Sequence, residues 1–141
     1  MKLTNFHIED TIAVVCNGRY FDLHNCFNYD GFNHDPRTRS AELAFLRGKG
    51  DWIKANEARR IVFSFVDVDD VKTREGDVHH PSEFARIDDS TLNTIGFTVR
   101  DEWDWIGASM YDPDFPYLMV DFLTGRGIKL RASSVTVHVE D

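Results

Sequence analysis

The densest run of side chains able to do chemistry lies at residues 101–117, with five aromatic rings and five carboxylates in 17 residues. Asp101, Glu102, Trp103, Asp104 and Trp105 come first, and Tyr111, Asp112, Asp114, Phe115 and Tyr117 follow. Aromatic rings supply large contact area at low entropic cost, and carboxylates attract a cation from a distance. Asp101, Glu102, Trp103, Asp104, Trp105, Tyr111, Asp112, Asp114 and Phe115 are therefore the candidate partner-binding residues, with a basic protein surface as the expected partner. Two other uses fit the same composition. The rings could stack on sugars, or Trp103 and Trp105 could plug one end of the fold while the acids stay in water.

Other reactive groups show weaker patterns. His79, His80 and Glu83 are a conceivable ligand set for a divalent ion. Adjacent residues on an extended chain point to opposite faces, so the two imidazoles converge only in a turn. The oxygens of residues 30–35 lack the alternating spacing and terminal Glu of an EF-hand, and Asp67, Asp69, Asp70, Asp112 and Asp114 read as ordinary acidic turns. No Gly-x-Ser-x-Gly elbow, phosphate-cradling loop or dinucleotide fingerprint occurs. No metal, no cofactor and no catalytic residue is expected. The competing reading from another class is a small-ligand- or metal-dependent enzyme with its site formed by loops 27–40 and 75–90.

The elements that must carry these groups are mostly strands. Asn17-Gly18 is the strongest local signal, because a type I′ turn needs positive φ at both central residues. It joins residues 11–16 to 19–26, with 16 facing 19, 14 facing 21 and 12 facing 23. Ile12, Val14, Phe21 and Leu23 then share the core face, and Cys16 and Cys26 fall on opposite sides, which disfavours a bridge. Cys26 shares its face with His24. Residues 28–40 read as a long loop, full of turn formers and without periodicity. Strands follow at 41–46 and 60–68, the second apolar on both faces and so central. Residues 52–59 could make a short helix. Residues 75–89 read as a polar connection, and 92–100 as a strand with one wet face.

A second hairpin joins 117–123 to 128–132. A three-residue loop over 125–127 pairs Phe122 with Leu130 and Asp121 with Arg131. Val135, Val137 and Val139 continue the alternation. Seven to eight strands with little helix make a mainly β chain, and the expected closure is a single-domain antiparallel β-sandwich or flattened barrel over residues 1–141. The expected core is Ile12, Val14, Phe21, Leu23, Ile61, Phe63, Phe65, Ile95, Phe97, Val120, Phe122 and Leu130.

Charge narrows the partners. Sixteen Lys and Arg stand against 24 Asp and Glu, a net charge of -8, which argues against a nucleic-acid backbone as ligand. The imbalance sits in residues 61–141, with seven basic and sixteen acidic side chains, whereas residues 36–60 hold seven and three. The first ten residues lack the apolar core of a signal peptide, and no apolar run reaches the roughly 20 residues that span a bilayer. Two cysteines are too few for a disulfide scaffold. The expectation is a cytoplasmic protein with reduced thiols and no membrane contact.

The order 60-RIVFSFVDV-68, 95-IGF-97 and 127-GIKLRASSVTV-137 is similar to that of small, acidic, β-rich bacterial proteins, some of them toxin-immunity proteins. The resemblance rests on apolar alternation over less than half the chain, and it implies a non-catalytic binding protein of immunity type. A glycan-binding β-sandwich is the remaining alternative.

Overall fold

The computed structural model describes residues 1–77, 89–98, 103 and 116–141. Among them the chain is all-β, with 12 strands in three sheets and no helix. The strands are β1 (Lys2–Leu3), β2 (Phe6–Glu9), β3 (Ala13–Cys16), β4 (Arg19–Asp22), β5 (Phe27–Asp35), β6 (Ser40–Arg47), β7 (Arg60–Val66), β8 (Asp70–Arg74), β9 (Leu92–Thr98), β10 (Tyr117–Phe122), β11 (Gly127–Arg131) and β12 (Ser134–Glu140). A five-stranded sheet runs β1-β12-β7-β6-β5, a four-stranded sheet β8-β11-β10-β9, and a three-stranded sheet β2-β3-β4.

The first hairpin forms in the expected register, with Cys16 opposite Arg19 and Val14 opposite Phe21. Asn17 and Gly18 both take positive φ, as a type I′ turn requires. The strand at 60–66 is central, between β6 and β12. Its outer side is less covered than expected, since Val66 is 52% exposed. Eleven of the twelve expected core residues are buried, and Ile12 is half-buried.

Four strands, β1, β2, β5 and β8, exceed the eight that alternation marks. The expected loop at 28–40 is instead most of the β5–β6 hairpin, with Asp35 opposite Ser40. A bulge hides β5. Tyr29 opposes Phe45 and Gly31 opposes Ala44, so Asp30 is an extra residue that flips the phase, and apolar positions 27 and 29 give way to 32. Gly31, at φ 139°, supplies the backbone geometry. Of the two loops on which the alternative enzyme site rests, the one at 27–40 is thus mostly paired strand, and residues 78–88 of the other lie outside the described residues. The expected helix at 52–59 is also absent. Ile53 N–H bonds to Gly50 O and Glu57 N–H to Lys54 O, isolated turns that never link into a helical ladder.

The second hairpin turns over a three-residue loop, but at Leu123–Gly125 rather than 125–127, with Gly125 left-handed at φ 87°. Leu118 therefore faces Leu130 and Val120 faces Ile128, in place of the expected Phe122–Leu130 pair. The slip is even-numbered, so each side chain keeps its face and the core assignment survives.

At one corner two paired strands change sheets together. β7 pairs with β12 in the five-stranded sheet, and their continuations β8 and β11 pair in the four-stranded one. Asp67, in the left-handed region at φ 55°, starts the turn, and Ser133 N–H to Val66 O and Asp69 N–H to Arg131 O close it. One apolar cluster joins all three sheets. Phe6 meets Phe63 edge-on at 5.6 Å, Phe21 meets Phe27 at 6.4 Å, and Tyr29 meets Phe122 at 5.0 Å.

Candidate functional site

The face of the four-stranded sheet turned away from the shared core gathers charged and aromatic groups, and much of it is covered, since Thr98, Tyr117, Met119 and Lys129 are all buried. Because Leu118, Val120, Ile128, Leu130, Ile95 and Phe97 point into the core, the alternate positions point to the opposite face. These are Asp70, Lys72 and Arg74 of β8, Gly127, Lys129 and Arg131 of β11, Tyr117, Met119 and Asp121 of β10, and Thr94, Gly96 and Thr98 of β9. On β9 this is not the wet face expected, since Gly96 and Thr98 are buried. The register sets Lys72 opposite Lys129, Asp70 opposite Arg131 and Arg74 opposite Gly127. Four cations thus share a face within the most acidic part of the sequence.

Two rings hold these cations together. Tyr117, fully buried, has Lys72 at 5.8 Å, Lys129 at 5.3 Å and Arg131 at 5.6 Å from its ring, and its hydroxyl donates to Asp70. Trp103, half-buried, has the Arg74 guanidinium at 4.8 Å and the Lys129 ammonium at 5.2 Å. Each such contact exploits the negative face of the ring. The indole also sits over Gly127, where an added Cβ would come within 2.6 Å of it. A glycine on β11 therefore leaves the hollow that the ring occupies.

Carboxylates complete the arrangement. Arg74 donates to Asp121 at 3.4 Å and to the Gly125 carbonyl at 2.8 Å, and Arg131 donates to Asp69 at 2.8 Å. That last hydrogen bond holds the Asp69 carboxyl below its ordinary range and raises the Arg131 guanidinium. A carboxyl depressed by folding stabilises the native state above its unfolded pKa and stops doing so as pH falls through the folded one. With the side chains 43% and 38% exposed, solvent limits the pair to under about 1 kcal/mol. Asp69→Asn is expected to lower stability by about 0.5–1 kcal/mol at about pH 7. In denaturation curves the difference from the parent should vanish well below the ordinary Asp pKa of about 3.9. A difference that persists unchanged in acid would exclude the ion pair as its source.

Of the nine candidate partner-binding residues, only Trp103 is among the described ones. Asp101, Glu102, Asp104, Trp105, Tyr111, Asp112, Asp114 and Phe115 lie outside them, as do His79, His80 and Glu83. Among the described residues no group of three or more His, Cys, Asp and Glu side chains is placed to hold a metal. Cys16 and Cys26 are free thiols. Burial pushes both upward, with Asp22 and Glu57 adding to the effect at Cys26, which disfavours the reactive thiolate. His24 is not directed at Cys26, because its Nδ1 pairs with the Leu92 carbonyl.

Sequence reasoning missed Lys72, Arg74, Gly127 and Lys129. The signal for Lys129 and Arg131 was present, since they alternate with Ile128 and Leu130 on a strand. Lys72 and Arg74 needed β8 to be recognised, and Gly127 reads locally as a turn residue. Comparisons with protein-family models, with curated proteins and with solved structures find no match to this chain.

Proposed function

We propose that the protein is a non-catalytic binding protein that engages a protein partner of positive net charge through its acidic aromatic segment, residues 101–115. The observation that carries this reading is the clasp on Trp103 between Arg74 and Lys129 over Gly127. Asp101, Glu102 and Asp104 are near neighbours of Trp103 in the sequence, within two Cα–Cα steps of about 3.8 Å each. A fixed Trp103, in this reading, limits the entropy that a segment carrying three carboxylates loses on meeting a partner. In this reading Trp103 positions the segment and the neighbouring acids and rings make the contact. A net charge of -8 adds long-range attraction for a cationic surface.

The scaffold in this proposal is a β-sandwich, its five- and four-stranded sheets facing each other across the shared core. A reducing, cytoplasmic setting suits the two free thiols.

The test begins with native mass spectrometry of the protein purified from its own host. A stoichiometric basic protein supports the reading, whereas a bound metal or organic cofactor favours an enzyme. With that partner in hand, Asp101→Asn with Asp104→Asn is expected to slow association about threefold to tenfold at low salt, with the gap closing as salt screens the charges. Association that is indifferent both to this double substitution and to salt would end the electrostatic reading.

A further inference from the structure

We propose that the cleft between the β4 edge and the turn at residues 51–57 is a saccharide-binding site, with the Trp52 indole as its stacking platform. It shares no residue with the Trp103 face and stands independently of the function proposed above. Trp52 is 70% exposed and Tyr20 45%, and both line a cleft of about 360 Å³. Trp52 also borders a second cleft, of about 390 Å³, whose walls include His24, Asn28 and Lys49. Both volumes lie in the range of small-ligand sites, about 300–1,000 Å³.

The platform is held in place. Trp52 Nε1 donates to the Asn25 carbonyl at 2.8 Å, and Asp22 secures that segment by accepting from the main-chain N–H groups of His24 and Asn25. The six-membered ring lies against Gly50, where a methyl group would overlap it. An exposed aromatic ring that is already oriented loses little entropy when a ligand stacks on it.

The surroundings select the ligand class. A pyranose presents a face of C–H groups, which suits the negative face of an indole, and a rim of hydroxyls that need polar partners. Lys54 and Asn56, both exposed on the first cleft, offer ammonium and carboxamide groups to such a rim. Several polar groups around one aromatic platform match the many hydroxyls of a sugar. Here Lys49, Asp51, Lys54 and Asn56 are all exposed and polar. Because Trp52 lines both clefts, one indole could serve consecutive sugar residues of a chain.

Saturation-transfer NMR with cellobiose, maltose, lactose and chitobiose tests this. At least one of them should receive saturation at its ring C–H protons. Trp52→Ala should weaken that binding about threefold to tenfold, the worth of one stacked ring, with the melting midpoint unchanged because the side chain is largely exposed. Gly50→Ala should also weaken it, since the new methyl displaces the ring without removing it, and Trp103→Phe should leave it intact. The proposal is overturned if none of the four disaccharides is saturated, or if Trp52→Ala leaves the saturation undiminished. Loss of a co-purifying protein in Trp52→Ala, with no sugar bound by the parent, would also overturn it and make this surface a protein interface.

Discussion

Phe63→Ala should lower the unfolding free energy by about 3–5 kcal/mol, the usual cost of truncating a buried aromatic ring. Phe63 is fully buried on β7, with Leu43 and Val137 opposite it on the two flanking strands. Phe6 and Phe45 meet its ring at 5.6 and 6.0 Å, so truncation leaves a cavity bounded by side chains from two sheets. Such a cavity cannot be refilled by moving one neighbour, because the rings around it are held by separate ladders. Against a typical total of about 5–15 kcal/mol, the loss brings the protein close to unfolding. The control lies on the same strand: Val66→Ala, at a largely exposed position, should stay within about 0.5 kcal/mol of the parent. Equal urea midpoints for the two variants would show that β7 does not carry the core.

The second large effect is expected at Tyr117. Tyr117→Ala should cost about 3–5 kcal/mol, and Tyr117→Phe about 1–2 kcal/mol. The conservative change removes only the hydroxyl that donates to Asp70 and keeps the ring. Truncation removes the surface on which Lys72, Lys129 and Arg131 converge, and Lys129, fully buried, loses the ring 5.3 Å from its ammonium. A cation out of water is costly unless its surroundings compensate, so the three contacts fail together. Thermal melts of both variants check this. Equal destabilisation by Ala and Phe would assign the whole effect to the hydroxyl and remove the ring from the account.

What the sequence by itself determined is local. Asn17-Gly18 specified its turn and register because few dipeptides tolerate positive φ at both positions. An apolar run on both faces marked β7, and alternation marked the inner residues of β9, β10 and β11, since a side chain's face depends only on parity along a strand. That is why Val120, Phe122 and Leu130 were correctly assigned to the core even though the hairpin register was displaced. The run at 101–117 was conspicuous by composition alone.

Tertiary structure decided whatever depended on partners distant in sequence. β5 carries an extra residue at Asp30, so its apolar positions change phase, and pairing with β6 makes it a strand where the local sequence reads as loop. β8 is short and polar, and its place is set by β11, more than fifty residues away. The cationic face exists only because that pairing aligns Lys72 and Arg74 with Lys129 and Gly127. No window of sequence could show that Gly127 makes room for Trp103, or that the Asn25 carbonyl holds the Trp52 indole. Alternation reports which side of a strand a residue occupies. What lies across from it is set by long-range pairing, and in this protein both candidate binding surfaces are made there.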